Sequence, residues 1–318
     1  MKQFLILVCA FLTALVLSEL CIANCVGYPT YGVDYKASYR VGGSKWTNIR
    51  KPYAKIYNVE GKVRTETNNI GLPGVDLESL ENPIAILGSS FIEALQYKPE
   101  EIASSIFYDK LKDLGFCANV LNLGCSGHDP YDSWFRLKYY EQKIGITFSD
   151  VILVINSDNE DWFSRHPKPL SFELSDEFGG INDSKFTNIG IFARNASSLI
   201  EVLYKGLFKG NDADIDNHLE HKNEEIALEA APECSLSQEM IDCLNAYKRD
   251  YNRFKVLSIA ADSEFNTSLT AYCGNNDIPI NVFPLSKPKY MIGGAGHLNQ
   301  EGNKALAEAL MTLWQTNN

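Results

Sequence analysis

Residues 86–96 read "ILGSSFIEALQ". An apolar segment runs into Gly88-Ser89-Ser90 and continues as a stretch with helical character, the pattern of a buried strand that breaks sharply and restarts as a helix. In an open parallel sheet ligands bind beyond the carboxyl ends of the strands, so such a junction is a natural place to present a nucleophile. Neither serine has an acidic residue beside it. Any group that activates one of them must therefore arrive from elsewhere in the chain.

Outward from this stretch, short apolar runs alternate with helix-length amphipathic segments, which predicts a parallel sheet covered by helices. "PIAILG" (83–88) is the first strand, and "EEIASSIFYDKLKDLG" (100–115) is a helix with Ile102, Ile106, Leu111 and Leu114 at helical spacing. "ANVLNLG" (118–124) is the second strand, followed by a helix near Tyr131 to Gln142. "DVILVIN" (150–156) is the most apolar run, as a central parallel strand buried on both faces should be. The alternation then fails until "FKVLSIA" (254–260), a helix around Glu264 to Cys273, "IPINVF" (278–283) and a last helix from about Gln300 to Trp314, where Leu306, Leu310, Leu313 and Trp314 share a face. The expected fold is α/β: a doubly wound, five-stranded parallel sheet in three α/β/α layers, over residues 81–318. An insertion of about 160–250 follows the third strand, and residues 25–80 form an N-terminal extension.

Composition narrows the function. The 318 residues are 45% hydrophobic, enough for a sizeable core, and the formal net charge of -11 argues against nucleic-acid partners, whose affinity depends on Lys and Arg neutralising phosphates. "MKQFLILVCAFLTALVLSELCIANC" places one lysine ahead of an apolar run, the layout of an export signal. Residues 1–24 are therefore a signal peptide or an N-terminal membrane anchor through residues 4–20, and the remainder is expected outside the cytoplasm, in the cell envelope or secreted. Export permits disulfides, with Cys234 and Cys243 the preferred local pair, whereas Cys117 and Cys125 in apolar surroundings read as buried free thiols. No CxxC occurs and no zinc or other metal site is expected.

Within the insertion, Asp212-Ala-Asp214-Ile-Asp216 begins like a calcium loop, but Asn217 and Asn223 stand where such a loop needs Gly and Glu, so a solvated acidic segment is the reading. Asn182, Asn195 and Asn266 fit the N-glycosylation pattern.

Four polar features fall at strand ends or before the last helix: Ser89-Ser90, "NLGCSG" (122–127), "NSDNEDW" (156–162) and "GGAGHLNQEG" (293–302). A serine nucleophile needs a base for its proton and donors aimed at the oxygen that becomes negative. Ser90 can serve as nucleophile and His297 as base, with N–H groups of Ser90 and of the glycine loop near Gly127 and the amide of Asn159 as the oxyanion hole. Each has a plainer alternative. Ser90 caps the helix, His297 is a surface residue ahead of an Asn299 N-cap, Asn159 ends a strand, and Gly124 and Gly127 are turn glycines. His128 is a candidate supporting or substrate contact. Tyr131, Trp134, Phe135 and Trp162 are either sugar-stacking or core aromatics.

These four blocks, in this order, resemble those of the SGNH (GDSL-type) hydrolases. The resemblance covers about 81–160 and 254–318. It implies a flavodoxin-like fold, Ser90 as nucleophile, Gly127 and Asn159 as oxyanion donors, and His297 as base, with no metal or cofactor. Two positions depart from the pattern: Ser89 replaces the usual Asp, and Gly294 or Ala295 stands where an acid normally precedes the histidine. The implied activity is an exported serine esterase with an acyl-Ser90 intermediate, acting on a small-molecule or glycan acyl ester such as an O-acetylated glycan. The alternatives are an O-acyltransferase with the same site, or a catalytically weak, glycan-binding or scaffold protein.

Overall fold

The computed structural model describes residues 2–22, 39–41, 45–47, 49–58, 63–156, 236–285, 288–292 and 297–316, together with isolated positions between 193 and 203. Helix α1 (Lys2–Leu20) is long and apolar enough to cross a membrane, and its apolar window has no buried residue. Two hairpins follow, β1 (Tyr39–Val41) with β2 (Lys45–Thr47) and β3 (Lys55–Asn58) with β4 (Val63–Glu66).

The main sheet contains β5 (Ile84–Leu87), β6 (Val120–Asn122), β7 (Asp150–Ile155), β8 (Phe254–Ser258) and β9 (Ile280–Val282), all parallel, in the order β6-β5-β7-β8-β9. Counted within the sheet this is order 2-1-3-4-5, the flavodoxin-like arrangement, whose direction of growth reverses between β5 and β7. Every residue of β5, β7 and β8 is buried. That two-sided burial is why these strands read as predominantly apolar runs and not as alternating patterns, with Asp150, Lys255 and Ser258 the polar exceptions.

Two cores line the two faces of the sheet. Helices α3 (Ala103–Asp113) and α7 (Gln300–Gln315) supply Phe107, Leu111, Leu306, Leu310 and Trp314 against Ile84, Ile86, Ile152, Val154 and Leu257. On the other face α4 (Pro130–Tyr139), α5 (Gln238–Asp250) and α6 (Ser263–Asn275) bring Trp134, Leu137, Met240, Leu244, Tyr247 and Leu269 against Ala85, Leu87, Val151, Leu153 and Val256. This is the expected three-layer α/β/α architecture.

At the amino ends of β7 and β8, Lys255 Nζ lies 3.1 Å and Arg253 Nε 3.0 Å from the same carboxylate oxygen of Asp150. Lys255 and Asp150 are almost completely buried. Lys255 stands opposite Ile152 in the parallel ladder, on the same face of the sheet as Asp150.

Several expectations change. Leu114 has helical spacing but is exposed, because α3 ends at Asp113 and the chain turns through Gly115 at φ +83°. Residues 238–250, counted above with the insertion, form the crossover helix α5, whose buried Met240, Cys243, Leu244 and Tyr247 carry the helical period. Cys243 is accordingly a buried free thiol facing the core and not the local disulfide partner; Cys234 lies outside the described residues. Burial raises the Cys243 thiol pKa well above its ordinary value. Cys125 is buried as expected, whereas Cys117 is exposed. Trp134 and Tyr131 are core residues: both pack edge-on to the partly buried Phe135. They are not a sugar platform. Trp162 and the acidic stretch at 212–216 lie outside the described residues.

The N-terminal extension is not separate from the domain over its second half. Ile49, Leu72 and Leu77 join the same core as α4 and α5. Thr67 Oγ1 accepts from Ala54 N at 2.8 Å and donates to Lys51 O at 2.7 Å, while Asn68 Oδ1 accepts from Ile70 N and Leu72 N. These bonds fix residues 50–58 and 63–72 as a folded-back strap.

Candidate active site

Strand β5 ends at Leu87, and Gly88 follows at φ +155°. A side chain there would place its Cβ 2.8 Å from Ile92 and 3.2 Å from Val154 O, so glycine is required both for the conformation and for the close approach of β7. Ser89 is the N-cap of the short helix α2 (Ser90–Glu93), and its side chain makes no capping bond. Ser90 is the first helical residue, half-buried, and its N–H has no acceptor within the helix at that position. Helix capping therefore does not account for Ser90.

The second block is sewn onto this helix. Asn122 Nδ2 donates to Ile92 O at 2.6 Å and to Ser104 Oγ at 3.0 Å, and Gly124 N donates to Asn122 Oδ1 at 3.0 Å. Cys125 N donates to Gly88 O at 3.0 Å. Gly124 lies so close to α2 that a Cβ would sit 2.5 Å from Glu93 N. The turn then exposes Ser126 and Gly127, the latter at φ +69°, a conformation that favours glycine.

Glu93 was not singled out from the sequence. It is 5% exposed, one turn after Ser90, and its Oε2 accepts from Ser126 N at 2.8 Å and Ser126 Oγ at 2.5 Å. Its Oε1 lies 3.5 Å from the Arg50 guanidinium. A lone acid in the otherwise uncharged stretch 86–96 was the available signal, because a carboxylate in such a setting needs partners.

His297 comes in from the far end of the chain. Its ring centroid is 6.4 Å from that of Phe91, the residue after Ser90. The backbone holding it is defined: Ile292 N donates to His297 O at 2.8 Å, Met291 bridges Leu298, and Asn299 N donates to Tyr290 O at 2.7 Å. Asn299 caps α7 through Gly302 N, as expected, while its Nδ2 donates to Lys289 O at 2.7 Å and Met291 O at 3.1 Å. Gly302 packs against this loop, with room for no Cβ beside Tyr290 O.

The structure thus gathers the Ser90 turn, the Gly127 turn and His297 at the carboxyl end of the sheet, at the β5–β7 reversal. Asn159, with Asp158, Glu160 and Asp161, lies outside the described residues, as do Gly294 and Ala295. His128 is buried behind the turn and lines a small cleft with Gly88, Ser89, Ser133 and Asn156. A wider concavity opens at the opposite end of the sheet, lined by Asn82, Phe116, Asn119, Asp150, Arg253 and Trp314, and is remote from these groups.

The fold is the one that the resemblance to the SGNH hydrolases implies. Among solved structures the chain is similar to the psychrotrophic esterase EstA from a Pseudoalteromonas species, in a form inhibited by monoethylphosphonate: 14% identity, 74% of this chain and 100% of that chain covered, TM-score 0.41. TesA gives 13% identity, coverage of 74% and 98%, and TM-score 0.37. A lipolytic protein of the G-D-S-L family from Desulfitobacterium hafniense gives 10% identity, coverage of 73% and 99%, and TM-score 0.38. The sequence matches no protein-family model and no curated protein. At these identities and TM-scores the strand order, not the overlaps, carries the fold.

Of the glycosylation patterns, Asn266 is buried in α6, donating to Ala260 O and paired with Ser258 Oγ, so its amide is not available in the folded chain. Asn182 and Asn195 lie outside the described residues.

Proposed function

We propose that this protein is a serine ester hydrolase in which Ser90 attacks the acyl carbon. The observation that carries the reading is the meeting of His297 with the Ser90–Phe91 turn at the point where the sheet changes direction, across most of the length of the domain. In the reaction Ser90 Oγ bonds to the ester carbonyl carbon while its proton passes to the His297 imidazole. The carbonyl oxygen takes up negative charge, which the N–H groups of Ser90 and Gly127 and the amide of Asn159 receive. Collapse expels the alcohol, which takes the proton from His297 and leaves acyl-Ser90. Water attacks next, losing its proton to His297; the acyl–Oγ bond then breaks, His297 returns that proton to Ser90 Oγ, and the acid is released.

The apolar first helix supports export and a substrate outside the cytoplasm, for which an O-acetylated glycan is the reading we favour. An alcohol in place of water in the second half would make the same site an acyltransferase.

The test is fluorophosphonate labelling and aryl-acetate hydrolysis by the purified protein beside Ser90→Ala and His297→Ala. Labelling of the parent at Ser90, with hydrolysis lost in both variants by several orders of magnitude, supports the proposal. A parent that is neither labelled nor faster than the variants would sink it in favour of a binding role.

A further inference from the structure

We propose that Glu93 is a positioning residue: it holds the Gly127 turn, and so the Gly127 N–H, in place against Ser90. The inference rests on the reading of Ser90 and Gly127 as parts of one reaction centre. Glu93 belongs to the same short helix as Ser90, and Ser126 directly precedes Gly127. Both Ser126 bonds to Glu93 end on one carboxylate oxygen, at 2.8 and 2.5 Å, so the backbone and the side chain of Ser126 are pinned together.

Those bonds are charge-assisted, the stronger kind, and they form in a nearly dry setting. The turn they hold is otherwise exposed at Ser126 and Gly127. His128 N donates to Cys125 O at 3.0 Å and closes the turn on itself, and the Glu93 bonds add a tie from the turn to α2; an oxyanion donor must be aimed in this way before the reaction begins.

Arg50 completes the arrangement. A carboxylate one turn from the nucleophile opposes the negative charge that develops on the substrate, and the guanidinium 3.5 Å away offsets that opposition. Arg50 comes from the N-terminal strap, whose Gly71 approaches Arg50 O so closely that a Cβ would meet it at 2.1 Å. The strap is therefore part of the machinery that sets the oxyanion hole, and removing it would disturb chemistry as well as packing.

Full-length parent, Glu93→Ala, Glu93→Gln and Ser126→Ala decide the matter through kcat and KM for an aryl acetate and through affinity for a trifluoromethyl ketone, whose adduct mimics the tetrahedral intermediate. Displacement of a catalytic group by about 1 Å can cost on the order of 100-fold. Glu93→Ala is expected to lose kcat on that scale with KM unchanged, and to lose ketone affinity in step. Glu93→Gln, which keeps an acceptor oxygen for Ser126, recovers most of it, and Ser126→Ala falls between Gln and parent. Should Glu93→Ala fail to fold, the exposed Ser126→Ala carries the test alone. An active parent whose Ser126→Ala and folded Glu93 variants keep kcat and ketone affinity overturns the role of Glu93 and leaves the Ser90 reading standing. A parent with neither labelling nor hydrolysis overturns both.

Discussion

Replacing Gly124 by alanine probes the seam between the nucleophile helix and the oxyanion turn. The added Cβ would stand 2.5 Å from Glu93 N and 2.7 Å from both Cβ and Cγ2 of Ile92. None of these is the far end of a flexible side chain, so relief requires the strand end after β6 to move away from α2. Overpacking of this kind costs about 1–3 kcal/mol. In a domain of this size each kcal/mol lowers the melting midpoint by roughly 2–4 °C, which predicts a fall of about 2–12 °C. The same movement carries the Gly127 turn off Ser90, so kcat for an aryl ester is expected to fall by more than the loss of folded protein explains. Thermal unfolding and initial rates on the same preparation separate the two effects. Gly274→Ala is the control: it lies in α6, where an added Cβ meets nothing within 4 Å. Relief of a helical glycine there should stabilise by about 0.5–1 kcal/mol. If Gly124→Ala melts with Gly274→Ala and retains its kcat, the close packing of the two blocks is not what holds the site together.

Two further outcomes are expected. Asn299→Ala removes the cap of α7 and should cost about 0.5–2 kcal/mol, read as a lower melting midpoint. Asn299→Asp keeps the acceptor for Gly302 N but not the amide donations to Lys289 O and Met291 O, so it should retain most of that stability while lowering kcat through the His297 loop. At alkaline pH, burial holds the Cys273 thiol up at about 12 against an ordinary 9.0, and the Tyr140 hydroxyl up at about 12 against 10.0. The folded chain keeps these protons where the unfolded chain releases them. Their contribution is complete below the unfolded values and is lost as pH climbs through this window. The urea midpoint should therefore decline steadily from about pH 9 upward, and a flat profile to about pH 11 would contradict the burial of these groups.

Much of this architecture was legible because β5, β7 and β8 are buried on both faces, and a strand with no solvent face is written mostly in apolar residues, here interrupted by Asp150, Lys255 and Ser258. The flanking helices were legible through their period, except at ends such as Leu114, where spacing alone does not reveal that the helix has stopped. Helix α5 carries the same period in Met240, Cys243, Leu244 and Tyr247. It follows a long acidic stretch, with which it was read as one insertion. Trp134 and Tyr131 show the limit of residue type, since an aromatic that suits a sugar equally suits a core. At the site, Ser90 and Gly127 were legible as local turn chemistry. His297 was legible as a candidate base, but its approach to Phe91 was not, because nothing local to residues 293–302 names the residue they will meet. Glu93 was missed because its partners, Ser126 and Arg50, come from other parts of the chain.

The buried Asp150–Lys255 pair has a consequence for how the sheet finds its alignment. The aliphatic stretches 151–155 of β7 and 256–257 of β8 would pair almost as well one residue out of step, since their neighbours in this pairing would still be mostly apolar. Successive side chains point to opposite faces, so a one-residue slip would carry the Lys255 ammonium to the other side of the sheet, among Val151, Leu153 and Val256, while Asp150 stayed behind. Stranding a buried charge in this way costs several kcal/mol. The pair is a key cut for one alignment, and so a salt bridge at the amino ends of β7 and β8 decides how far the carboxyl ends of these two strands stand from one another at the other end of the sheet.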